Sequence, residues 1–121
     1  MKKILIVEDE PSLAEALKQK LTKEKFNVAV AKDGGEGLAL SLEIKPDLIL
    51  LDIVMPVMDG LTMLEKLRED KWGKNVPVII LSNLNEADKT AEVMKSGVYD
   101  YLVKSDWKLE DLVKKVREKI K

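Results

Sequence analysis

Short runs of uninterrupted aliphatic residues alternate along this chain with longer segments of helical spacing, and that alternation limits the fold more than any other feature. Ile4-Leu5-Ile6-Val7, Leu48-Ile49-Leu50-Leu51 and Val78-Ile79-Ile80-Leu81 each place four apolar side chains in a row. Successive side chains of a strand point to opposite faces, so an unbroken apolar run is a strand covered on both sides. The strands are expected over residues 3–8, 27–31, 47–52, 76–82 and 98–103, with Pro77 near the start of the fourth. Between and after them the apolar period changes to that of a helix. Leu13, Leu17 and Leu21 mark a helix over 11–25, and Pro11 suits its first turn. Leu38, Ala39 and Leu42 are expected to face inward from a helix over 35–43. Leu61, Leu64 and Leu67 line one over 59–70, capped by Asp59. A thinner pattern covers 86–96 and ends at Gly97. Leu109, Leu112, Val113, Val116 and Ile120 define the last, over 109–120.

Five βα units with apolar strands imply an α/β fold with a parallel sheet covered on both faces. Right-handed crossovers leave a doubly wound sheet or a closed barrel, and five units are too few for the eight-fold barrel. The expectation is a doubly wound, flavodoxin-like five-stranded parallel sheet of order 2-1-3-4-5 with five helices. At 121 residues the chain fits one domain, residues 1–121, with a core large enough to need no staples.

Composition removes whole classes of chemistry. There is no Cys and no His. Disulfides, thiolate nucleophiles, zinc held by Cys or His, and imidazole acid–base catalysis are therefore excluded. The 21 basic and 22 acidic residues nearly cancel and are not segregated, so no nucleic-acid stripe is present. No apolar run approaches the length of a membrane span, and Ile4–Val7 is too short for a signal peptide. A cytoplasmic location is the expectation.

In doubly wound sheets ligands bind beyond the carboxyl ends of the strands, at the switch point between the first and third. Here strand one ends in Glu8-Asp9, strand three in Asp52, strand four in Ser82 and strand five in Lys104. Three acids, a hydroxyl and an ammonium would thus converge on one edge. Three carboxylates repel one another unless a cation and Lys104 relieve them. Oxygen ligands select a hard cation, and few carboxylates in an open pocket favour magnesium over a calcium cage.

Taken in order, I-L-I-V-E-D-E, L-I-L-L-D-I-V-M-P-V-M-D-G, V-I-I-L-S and Y-D-Y-L-V-K resemble the receiver domain of two-component response regulators, across the whole chain. The segment from Asp52 to Gly60 is the most specific piece. The resemblance implies that Asp52 is the phosphoacceptor, a carboxylate nucleophile that forms an acyl phosphate. It implies that Asp9 and Asp52 are direct ligands of Mg2+, Glu8 an acid acting through metal-bound water, and the Val54 carbonyl the third protein ligand. Ser82 would bind the phosphoryl oxygens, Lys104 would pair with them, and Tyr101 would change rotamer as Ser82 is drawn in. The implied partners are a sensor histidine kinase or phosphotransfer protein and a downstream output protein, with no nucleic acid or membrane. Dimerisation through the helix over 86–96, the fifth strand and the last helix would also follow the family.

Other readings share parts of this pattern. An aspartyl-phosphate phosphatase usually carries a second acid two positions after its nucleophile, where this chain has Val54. A degenerate receiver, serving only as a binding module, would not need every acidic, hydroxyl and Lys position filled. One departure from the family is Ser105, where proline usually follows the lysine. The glycines of Gly34-Gly35-Glu36-Gly37 fit neither dinucleotide nor P-loop spacing and read as a turn and helix entry. Trp72 and Trp107 read as packing aromatics. Val54 and Leu84, both apolar, occupy the positions that in the family border the approach of hydrolytic water.

Overall fold

A computed structural model describes residues 1–52, 60–82, 100–103 and 108–120, with the backbone alone for 60, 61, 82 and 100–103. It shows strands β1 (Lys3–Val7), β2 (Asn27–Ala31), β3 (Leu48–Asp52), β4 (Val78–Ser82) and β5 (Asp100–Val103). Among the described residues the helices are α1 (Pro11–Lys23), α2 (Gly34–Ile44), α3 (Gly60–Glu69) and α4 (Leu109–Ile120). The five strands form one parallel sheet in the order β2-β1-β3-β4-β5, as expected. The expected helix over 86–96 and the cap Asp59 lie outside the described residues. No helix among the described residues is long and apolar enough to cross a membrane.

The apolar strand runs divide by parity between two cores. Ile4, Ile6, Leu48, Leu50, Ile79 and Leu81 pack with Leu17, Leu21 and Phe26 on one side and with Leu112, Val113 and Val116 of α4. Leu5, Val7, Ile49, Leu51, Val78 and Ile80 pack on the other side with Met63, Leu64 and Leu67 of α3. Every residue of β3 is buried, which is why its sequence shows no alternation. Each fully buried aliphatic side chain contributes about 1.5–3 kcal/mol, and this burial sets the strand register. Trp72 packs against the second core, consistent with a packing role.

Two devices fix the strand ends on which the site depends. The Lys3 N–H donates to Asp47 Oδ2 at 2.7 Å, and the Asp47 N–H donates to the Lys3 carbonyl at 2.8 Å. This reciprocal pair locks β1 against β3 at their starts. At the C-terminal end of α1, the Phe26 N–H donates to the Leu21 carbonyl and the Lys25 N–H to the Thr22 carbonyl, each at 3.1 Å. That is a Schellman closure with buried Leu21 and Phe26 as its apolar contact. The closure ends α1 at Lys23, two residues before the sequence-based limit, because Lys25 takes a left-handed φ of 72°. Arg117 of α4 then pins the same corner, with Nη2 3.0 Å from Glu24 Oε1 and its guanidinium 5.4 Å from the Phe26 ring centroid.

Helix α2 corrects the sequence reading. Ala39 and Leu42 face solvent, Leu42 being 38% exposed, and the buried residues are Gly34, Gly37 and Ser41. Their i, i+3, i+7 spacing is also one helical face, but a face of small residues. The reason is close approach: a Cβ on Gly37 would lie 2.9 Å from both Val7 methyls and 3.1 Å from Met63 Sδ. Leu38 and Leu40 flank that face, partly buried. Asp33 caps the helix by accepting the Glu36 N–H at 2.9 Å.

Candidate acid site at the sheet edge

The carboxyl ends of β1 and β3 lie side by side because Val7 pairs in register with Leu51. The next residue on each is an acid, and both acids are buried: Glu8 is 2% exposed and Asp52 3%. Glu8 is tied to the far neighbour as well, its N–H donating to the Ala31 carbonyl of β2 at 3.1 Å. Asp9 follows at the exposed lip. Glu8, Asp9 and Asp52 each offer a carboxylate oxygen, and these oxygens lie within 4.8 Å of one another. The expected convergence of the three acids is therefore present.

Ser82 ends β4 one position beyond Leu81, which pairs with Asp52. Its backbone partner on β5 is Val103, and Tyr101 pairs with Ile80. The sheet thus brings the end of β4 to the same edge as the acids. Val54 and Lys104, and with them Leu84, Ser105 and Trp107, lie outside the described residues.

Two buried carboxylates about 5 Å apart repel by on the order of 3 kcal/mol at an effective dielectric of 20. Such an arrangement is stabilised by a cation. The donor set is all oxygen, as a hard divalent ion requires. Ligands on opposite sides of an octahedral magnesium ion lie about 4 Å apart, so the cluster fits that ion with small side-chain adjustment or one bridging water. A cavity of about 280 Å³, lined by Glu8 and Asp9 of the cluster, runs along α1 past Ala14 and Lys18 to Lys32.

A contact that sequence reading missed ties this cluster to α1. Glu8 Oε2 accepts the backbone N–H of Glu10 at 3.2 Å. No residue type announces it, because the donor is a main-chain group placed by the β1–α1 turn.

The fold and the site together define a class: a doubly wound α/β protein with a buried acid cluster at its topological switch point. Comparison with known proteins narrows it. The response regulator receiver domain family matches residues 4–117. The DNA-binding dual master transcriptional regulator RpaA of Synechocystis is 34% identical over 117 residues, covering 97% of this chain and 48% of that protein. The DNA-binding response regulator MtrA of Mycolicibacterium smegmatis is 37% identical over 119 residues, 98% of this chain and 50% of that protein. The chain thus spans about half the length of these two relatives. Among solved structures, the receiver domain of Francisella response regulator 1452 superposes with a TM-score of 0.89 at 34% identity, covering 99% of this chain and 97% of that one. The chemotaxis response regulator CheY4 of Vibrio cholerae gives 0.90 at 29% identity, with 98% of each chain covered. The chain belongs to the response regulator receiver family, the phosphoryl-accepting switches of two-component signalling.

Proposed function

We propose that the 121 residues act as one receiver unit in which Asp52 accepts a phosphoryl group, with magnesium held at the acid cluster. The observation that carries this reading is the pair of buried acids, Glu8 and Asp52, with Asp9 beside them. An Asp52 oxygen attacks the phosphorus of a partner's phosphohistidine. A P–O bond forms, the P–N bond breaks, and the imidazole nitrogen leaves with the electron pair and is protonated from solvent. The product is an acyl phosphate on Asp52. Magnesium, when bound, neutralises phosphoryl oxygen charge as the transfer proceeds. Asp9 and Asp52 would hold the ion directly, Glu8 would act through a bound water, and the Val54 carbonyl would be the third protein ligand. Ser82 and Lys104 hold the phosphoryl oxygens, and Tyr101 follows Ser82. This chemistry needs positioning and charge neutralisation rather than acid–base groups, so a chain without His can perform it.

The partners of this reading are a sensor histidine kinase or phosphotransfer protein and an output protein that binds the phosphorylated form, and the chain itself works in the cytoplasm. By family resemblance the segment over 86–96, read from its sequence as a helix, would act with β5 and α4 as the face that changes on phosphorylation and through which two copies dimerise. Incubation with a small phosphodonor and magnesium, followed by intact mass, tests the reading. A lasting magnesium-dependent phosphate adduct supports it. Donor turnover without an adduct would instead mean a phosphatase, and no reaction at all a binding module.

A further inference from the structure

Glu8 stands where three elements meet. Its backbone is bonded to β2, its carboxylate belongs to the acid cluster, and its Oε2 accepts the Glu10 N–H at 3.2 Å. Glu10 is the N-cap of α1, and its carbonyl accepts the first helical N–H, that of Ala14, at 3.0 Å. The Glu10 side chain makes no capping hydrogen bond, and the next residue is Pro11, which has no N–H to be capped. The entry of α1 is thus held through the Glu8 carboxylate.

We propose that Glu8 is a positioning residue that couples cation binding at the acid cluster to the order of the first turn of α1. This rests on the magnesium reading above. A carboxylate offers about four lone-pair sites on two oxygens, so Glu8 can keep the Glu10 N–H while joining the shell of a cation. A cation that restrains the side chain removes rotamer freedom that the Glu10 bond otherwise has to overcome. The coupling is reciprocal: whatever orders the start of α1 from outside, at Pro11 or Glu15, raises cation affinity by the same factor. The cavity along α1 is lined by Glu8, Asp9, Pro11 and Glu15 together, so a partner group seated there touches both ends of the coupling.

The test is amide hydrogen exchange on the whole chain, with and without magnesium, beside a thermal melt. In wild type, magnesium is expected to slow exchange at Glu10 and Ala14 by about threefold or more, as a restrained hydrogen bond should. Exchange at Leu112 and Val116 of α4 serves as the reference for global stability. Glu8→Ala removes the acceptor, so Glu10 and Ala14 should exchange about fivefold faster without metal, and the response to magnesium should vanish. Glu8→Gln keeps an acceptor oxygen without the charge. It should hold near-wild-type protection without metal yet respond weakly to magnesium, and it serves as the second variant if the Ala form does not fold. Magnesium that raises the melting temperature of wild type but leaves Glu10 and Ala14 unchanged would overturn the coupling and spare the metal site. Magnesium that does not raise the melting temperature would overturn both.

Discussion

Val7 of β1 lies in register with Leu51 of β3, and one residue further along each strand stands a buried carboxylate, Glu8 or Asp52. The register is anchored at the other end by the reciprocal Lys3–Asp47 hydrogen bonds and held between by apolar side chains on both faces. A one-residue slip would turn each strand's side chains to the opposite face, so the pairing of acids is a product of the core. What the core places together, electrostatics opposes.

Magnesium should raise thermal stability by relieving repulsion among Glu8, Asp9 and Asp52. At ten times its Kd the stabilisation is about 1.4 kcal/mol, which corresponds to a rise in Tm of about 3–6 °C for a domain of this size. Asp9→Ala should weaken that response sharply and raise the metal-free melt slightly, because it removes one of the three repelling charges at an exposed position where no core contact is lost. Equal magnesium titrations for Asp9→Ala and wild type would remove Asp9 from the ligand set.

Lys25→Gly should stabilise the fold. Lys25 occupies the left-handed position of the α1 closure at φ 72°. A side chain costs about 1–2 kcal/mol there, partly offset by the greater freedom of Gly in the unfolded chain, for a net gain of about 0.5–1 kcal/mol. Chemical denaturation should show a higher midpoint with an unchanged slope. A lower midpoint would mean that the closure does not set the end of α1.

Much of this architecture was legible because it rests on side-chain type. The unbroken apolar run of Leu48-Ile49-Leu50-Leu51 announces a strand buried on both faces, and the acids at Glu8-Asp9 and Asp52 stand where such strands end. What was not legible rests on space and backbone. Hydrophobicity favours Ala39 and Leu42 for the buried face of α2, yet Gly37 faces in because the helix lies against Val7 and Met63 too closely for a larger residue. The end of α1 falls before the limit its apolar spacing suggests, because the closure uses Lys25 where sequence signals look for Gly. The Glu8–Glu10 bond depends on the path of the β1–α1 turn, which no pattern of residue types encodes.

The phosphorylated form should be long-lived for a receiver. Water must attack in line, opposite the leaving Asp52 oxygen. By family resemblance the side chains of Val54 and Leu84 border that approach, and neither can orient a water. Val54→Asn and Leu84→Glu should each shorten the lifetime several-fold in a decay series. Decay no faster than wild type in both variants would show that water access at these positions does not set the rate.

The most direct measurement of the central claim is intact mass of wild type and Asp52→Asn after incubation with a small phosphodonor and magnesium. Asn keeps the shape of the buried side chain and removes its anionic oxygen. Wild type is predicted to gain one phosphoryl group and Asp52→Asn, folded and otherwise unchanged, to gain none. A magnesium-dependent phosphate of equal yield on Asp52→Asn would contradict the assignment of Asp52 as the acceptor.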